Sequence, residues 1–214
     1  MKILALDTTS EFGSVAIRVD GRTVKELTVH APEGFAHLLF PAIDRTLKQA
    51  GVRLAEVDCF AAASGPGSFT GVRVGLSAAK GLAEALGKPA VGVSNLQGLA
   101  SFGNLPLRAV VLDARRGEVY AAVYDAELRP VMPEKVMKLT DWLGELTEPL
   151  YEFISPAPLP LEGTRFAEMP FIQAPQSLAA AVGACAECEP GSDPAALDAN
   201  YVRRSDAELF WREP

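Results

Sequence analysis

A glycine-rich segment, Ser64-Gly65-Pro66-Gly67-Ser68-Phe69-Thr70-Gly71, offers the strongest chemical signal in this chain. It follows apolar residues 59–63, which read as a buried strand, and precedes a helical run, so it must form a tight strand-to-helix loop. Ser68 and Thr70 offer hydroxyl caps, and the free N–H groups of that helix's first turn would suit an anion or a partner's carboxylate. Other chemistry-bearing residues are sparse. Cys185 and Cys188 have C-x-x-C spacing, but neither a second thiol pair nor a nearby histidine completes a tetrahedral zinc site. His30 and His37 stand seven positions apart, off the spacing of a helical metal pair, and read as ordinary residues at the start of a helix. Arg73, Arg203 and Arg204 are candidates for charged contacts with a partner.

The helix after the glycine loop holds a row of small residues at every fourth position: Gly71, Gly75, Ala79, Ala83 and Gly87. Such a row lies along one helix face and lets a second helix approach closely, while Val72, Leu76, Leu82 and Leu86 lie off it and can pack on a sheet. The close neighbour could belong to the same lobe or to another subunit. The expectation adopted is another subunit, which makes Gly71, Gly75, Ala79 and Ala83, with Arg73, the expected partner interface. A self-complementary patch of this kind also predicts a homodimer when the chain is alone.

The elements around this helix repeat. Residues 3–21 and 110–125 each hold an apolar strand ending in Leu-Asp, a polar turn, then a glycine with valines two and six positions beyond it. They read as duplicated hairpins. Third strands are expected over 22–30 and 131–139, and a helix over 35–50 that either kinks at Pro41 or begins late. Residues 57–63 and 89–93 read as strands, 95–102 as a short helix and 177–187 as an alanine-rich helix. A helix starting at Asp141 should be capped by Thr140, whereas the proline-rich stretch 149–175 should hold little regular structure. The pattern predicts an α/β protein of two ribonuclease-H-like lobes, 1–104 and an abbreviated 105–214, with the C-terminal segment free to pack back on the first.

With 20 Lys+Arg against 27 Asp+Glu, the net charge is −7, and no basic run suggests a nucleic-acid platform. No apolar run suits a signal peptide or a membrane span, and three cysteines agree with a reducing compartment, so a cytoplasmic protein is expected.

Ile3-Leu4-Ala5-Leu6-Asp7-Thr8-Thr9, Gly65 through Arg73, Asp113-Ala114-Arg115-Arg116-Gly117-Glu118-Val119-Tyr120, and Tyr201-Val202-Arg203 together resemble the bacterial TsaB family, also named YeaZ. The resemblance is dense in the first lobe and thin over 139–198. It implies the two-lobed fold shared by actin, sugar kinases and Hsp70 (the ASKHA fold), and a part in making N6-threonylcarbamoyladenosine beside the anticodon of tRNAs that read codons beginning with A. It also implies a supporting, non-catalytic role. Catalysis would fall to a TsaD-like paralogue, with a TsaE-like ATPase as a further partner and tRNA reached only through the complex.

In TsaD-type chains two histidines, four apart on one helix, bind a metal. Here Asn95 and Leu99 stand at those places, and leucine cannot ligate, so no metal and no catalytic residues are expected. The kinase-like nucleotide cleft would be framed by Asp7, Thr8, Thr9 and Asp113. Its first turn lacks the glycine usual after the Asp, so this cleft is either vestigial or a working phosphate site. The chain is expected to need no cofactor of its own, with room left for ATP or ADP at the complex interface. The alternative readings are an active ATP-dependent small-molecule kinase of the same fold and a glycoprotease-like peptidase, the latter without any Ser/His/Asp or metal constellation to support it.

Overall fold

Strands buried on both faces read as continuous apolar runs, and Ile3 to Leu6 and Cys59 to Ala63 are such runs. In the computed structural model, which describes residues 1–187, 189 and 191–202, they become neighbouring parallel strands at the centre of one sheet. The first lobe is β1 (Lys2–Asp7), β2 (Phe12–Val19), β3 (Arg22–His30), α1 (Leu39–Ala50), β4 (Cys59–Gly65), α2 (Phe69–Leu86), β5 (Ala90–Ser94) and α3 (Asn95–Ala100). Its strand order is β3-β2-β1-β4-β5. Pro41 falls in the first turn of α1, where its missing N–H costs nothing, so the helix begins late rather than kinking. Gly51 ends that helix in a left-handed conformation.

The second lobe is β6 (Arg108–Asp113), β7 (Val119–Tyr124), β8 (Pro130–Met137), α4 (Leu139–Glu145), β9 (Glu152–Ser155), β10 (Phe171–Gln173) and α5 (Ala179–Ala186). Its order, β10-β9-β6-β7-β8, repeats that of the first, so all five strands of the duplicated architecture survive and the abbreviation lies between them. This corrects the expectation for 149–175. The buried Glu152–Ser155 strand and the short Phe171–Gln173 strand pair in parallel between proline-rich flanks. Thr140 is not the cap of α4; Lys138 holds that position without a side-chain hydrogen bond. His30 closes β3, its ring stacked on Phe12 with centroids 4.5 Å apart, rather than starting a helix.

The two lobes exchange their last helices. α5 packs on β1, β2, β4 and β5 of the first sheet, while α3 packs on β6 and β7 of the second. One core cluster therefore joins both sheets, with Ile3, Ala5 and Ala61 sharing it with Leu96, Leu99, Val110, Ala122 and Val182. A second cluster lies between the first sheet and α1 and α2, and a third, around Trp142 and Phe153, between the second sheet and α4. The small residues of α5 let it sit close: a Cβ on Gly183 would lie 3.1 Å from Ala5 Cβ and 2.7 Å from Arg18 Cδ. Among the described residues, no helix is long and apolar enough to cross a membrane.

Candidate functional site

Asp7, expected to help frame a nucleotide cleft, ends β1. Here its carboxylate is 1% exposed and already occupied. Oδ1 accepts hydrogen bonds from the Thr9 backbone N–H (3.0 Å) and hydroxyl (2.7 Å), and Oδ2 accepts one from the Leu178 N–H (3.0 Å) at the start of α5. Two neighbours complete the same helix end. Ser14 Oγ accepts from the Ala179 N–H at 3.0 Å, and Glu26 Oε1 from the Ala180 N–H at 3.2 Å. The first turn of α5, which would otherwise present unpaired donors, is thus capped from β1, β2 and β3 at once. Burial pushes the Asp7 carboxyl above the usual carboxylate range, against the pull of its three donors, and the nearby Glu26 charge adds to the rise.

The glycine loop closes over the same turn. Ser68 N–H donates to Thr9 O at 2.7 Å, Thr8 Oγ1 donates to Gly71 O at 2.7 Å, and Gly65 N–H donates to Asn95 Oδ1 at 3.0 Å. Asn95 Nδ2 in turn donates to Thr9 Oγ1 at 2.6 Å. Asn95 is therefore a buried link between two loops, and Leu99 is fully buried in the inter-sheet core. Gly65 adopts φ +100°, a conformation open to glycine. Several loop donors that could have faced an anion are committed within the fold.

This closure also corrects the reading of the small-residue row. A Cβ on Gly71 would fall 2.0 Å from the Thr8 carbonyl oxygen, and one on Gly75 2.6 Å from Thr8 Oγ1. Ala79 and Ala83 are fully buried in the core between α2 and the first sheet. The close neighbour of Gly71, Gly75, Ala79 and Ala83 is the chain's own first turn and sheet, so a bulky residue at Gly75 would disrupt folding instead of probing a partner. Arg73 alone of the expected interface residues is exposed. Its guanidinium lies over the Phe69 ring, 3.2 Å from the centroid, and 5.4 Å from that of Tyr201.

What α2 presents outward is a different face. Between α1 and α2 runs an apolar groove of about 450 Å³, bordered by Leu39, Phe40, Phe69, Arg73, Val74 and Ser77. Phe40 and Phe69 are each more than half exposed, at 56% and 54%. Exposed aromatic rings gathered on one groove mark a binding face more often than scattered apolar residues do. The spacing that found the row could not tell which side of it the sheet takes; the outward residues Phe40, Phe69 and Ser77 were the signal to follow.

Asp113, the counterpart of Asp7, is exposed. Among the described residues its Oδ1 accepts a local hydrogen bond, from the Arg115 N–H at 2.7 Å, and Arg115, Arg116 and Gly117 follow with φ of 61°, 57° and 76°. Among the described residues, no group of three or more His, Cys, Asp or Glu could hold a metal ion. Cys59 and Cys185 are buried; Cys188, Arg203 and Arg204 lie outside the described residues.

Known proteins share this architecture. A family model described as TsaD, tRNA N6-adenosine threonylcarbamoyltransferase, matches residues 30–181. The tRNA threonylcarbamoyladenosine biosynthesis protein TsaB of Bacillus subtilis (strain 168) is 33% identical over 153 residues, covering 69% of this chain and 67% of that protein. TsaB of Escherichia coli (strain K12) is 37% identical over 152 residues, covering 69% of this chain and 61% of that protein. The chain thus spans about two thirds or less of the curated relatives it matches. The solved structure of YeaZ from Pseudomonas aeruginosa superposes with a TM-score of 0.76 at 27% identity, covering 94% of this chain and 100% of that one.

Proposed function

Since the chain belongs to the TsaB family of tRNA threonylcarbamoyladenosine biosynthesis proteins, we propose that it serves that modification as a non-catalytic subunit, docking through the α1–α2 groove onto a TsaD-like catalytic paralogue. A TsaE-like ATPase completes the machinery, and tRNA is reached through the complex, in keeping with the net charge of −7. The chain needs no cofactor of its own, and ATP or ADP would be held where the subunits meet. The observation that carries this reading is the commitment of Asp7: the carboxylate that a kinase would turn toward a metal-bound phosphate caps α5 instead. The groove supplies what the cleft lacks, an outward apolar face with a cation at its rim.

The same face should close on a second copy when the paralogue is absent, so homodimer and heterodimer compete for it. Phe40→Asp places a charge on the groove without touching the core. Light scattering and pull-down with the paralogue should show both associations lost at an unchanged unfolding midpoint. Unchanged capture by the folded variant would move the interface elsewhere. Reconstitution of tRNA modification with and without the chain tests the role itself, and multiple turnovers of ATP by the isolated chain would favour the kinase reading.

A further inference from the structure

The last described segment, residues 191–202, lies across the first lobe as a strap. Ser192 and Ala90 exchange backbone hydrogen bonds of 3.1 Å each, extending the sheet at the edge of β5. The turn Pro194–Ala196 packs on α2, and Leu197 is buried over Gly92, where a Cβ would stand 2.9 Å from Leu197 Cδ1. Asn200 then makes two bonds of different reach. Its N–H donates to Ser64 O at 2.8 Å, beside the glycine loop, and its Nδ2 donates to Glu134 Oε2 at 2.6 Å, on β8 of the other lobe.

Glu134 is the hub of a small polar cluster. Its Oε1 accepts from Tyr124 OH at 2.6 Å and from Ser94 Oγ at the end of β5. Half-buried and taking donors from both lobes and the strap, it fixes where Asn200 sits relative to the second sheet. The next residue, Tyr201, places its ring 6.2 Å from that of Phe69, with the Arg73 guanidinium near both. Phe69 and Arg73 border the docking groove. A continuous chain of contacts therefore runs from the second lobe to the groove: Glu134, Asn200, Tyr201, then Arg73 and Phe69.

We propose that this strap is a regulatory coupling element, setting the shape of the α1–α2 docking groove according to the arrangement of Glu134 and the second lobe. The proposal rests on the groove being the docking face, and its test separates the two. Glu134 lies outside the groove and also accepts from Ser94, whereas Asn200 and Tyr201 belong to the strap, so changes at those two residues isolate an effect that travels through the strap. Hydrogen exchange on the isolated chain reads the coupling without a partner. Glu134→Ala, and independently Asn200→Asp, which sets two carboxylates against each other, should speed exchange at residues 69–73 as well as at Asn200. Each should weaken self-association and capture of the paralogue by about five- to tenfold, the lower part of the usual range for coupled sites. Tyr201→Ala should do the same, and Glu134→Ala with Tyr201→Ala should weaken docking no further than the stronger single change. Unchanged exchange at 69–73 in both Glu134→Ala and Asn200→Asp would overturn the coupling, as would additive losses in the double variant. If Phe40→Asp leaves association intact while exchange at 69–73 still responds to Glu134, the docking reading fails and the coupling stands.

Discussion

The two hairpin turns that the duplication produced have opposite fates. Asp7-Thr8-Thr9-Ser10, between β1 and β2, is buried almost throughout, and its carboxylate caps a helix from the other lobe. Asp113-Ala114-Arg115-Arg116, between β6 and β7, is exposed at Asp113 and Arg115, and among the described residues its carboxylate accepts from its own turn. The same strand-Asp-turn pattern thus holds the fold together in one copy and forms a surface loop in the other. What decides between them is the exchanged helix: α5 brings unpaired N–H groups to the first turn, and a buried acceptor is the cheapest way to satisfy them.

A steric clash should separate the two turns most clearly. Gly71→Val would drive a side chain into the Thr8 carbonyl, where even a Cβ stands at 2.0 Å, and backbone cannot step aside cheaply. We expect a loss of about 3 kcal/mol or more, at the upper end of overpacking costs, read as a fall in denaturant midpoint. Asp7→Ala comes next. It leaves the Leu178 and Thr9 N–H groups buried without acceptors, and about 2–4 kcal/mol should be lost, whereas Asp113→Ala should cost far less. Similar costs for the two aspartates would remove the distinction between the turns.

A smaller effect is pH-dependent. Because burial raises the Asp7 carboxyl above its ordinary value, the native state holds that proton more tightly than the unfolded chain. Its contribution to stability is full below the unfolded value, about 4, and declines as pH rises through the higher folded one. Asp7→Asn should flatten this part of the stability profile, while Asp113→Asn should leave it in place. Smallest of all, Arg115→Gly relieves a left-handed backbone at φ 61° but gains unfolded-state freedom, so stability should move by no more than about 1 kcal/mol.

Much of the architecture was legible because it rests on local pattern. The paired hairpins, the β4 strand and the helix after the glycine loop all announce themselves through apolar runs and turn residues. β9 did not, since four residues, Glu152–Ser155, between proline-rich flanks give no period long enough to read. The packing side of the Gly71 to Ala83 row was also hidden. Spacing defines a face, yet which neighbour fills it depends on a loop that returns against Thr8 from 63 residues away. Asp7 was recognisable as a chemically placed residue, but its occupant, the Leu178 N–H, lies 171 positions along the chain and carries no side-chain signal. The Glu134 hub was missed for the same reason, its donors coming from positions 94, 124 and 200.

The chain itself closes the first turn, which leaves the outer face of α1 and α2 as the proposed meeting place for partners. Calorimetric titration of the isolated wild-type chain with ATP and magnesium tests it most directly. With Asp7 and the glycine loop engaged internally, no saturable magnesium-dependent heat is expected. Tight magnesium-dependent binding that disappears in a folded Asp7→Asn variant would contradict it, because the carboxylate would then serve a phosphate rather than α5.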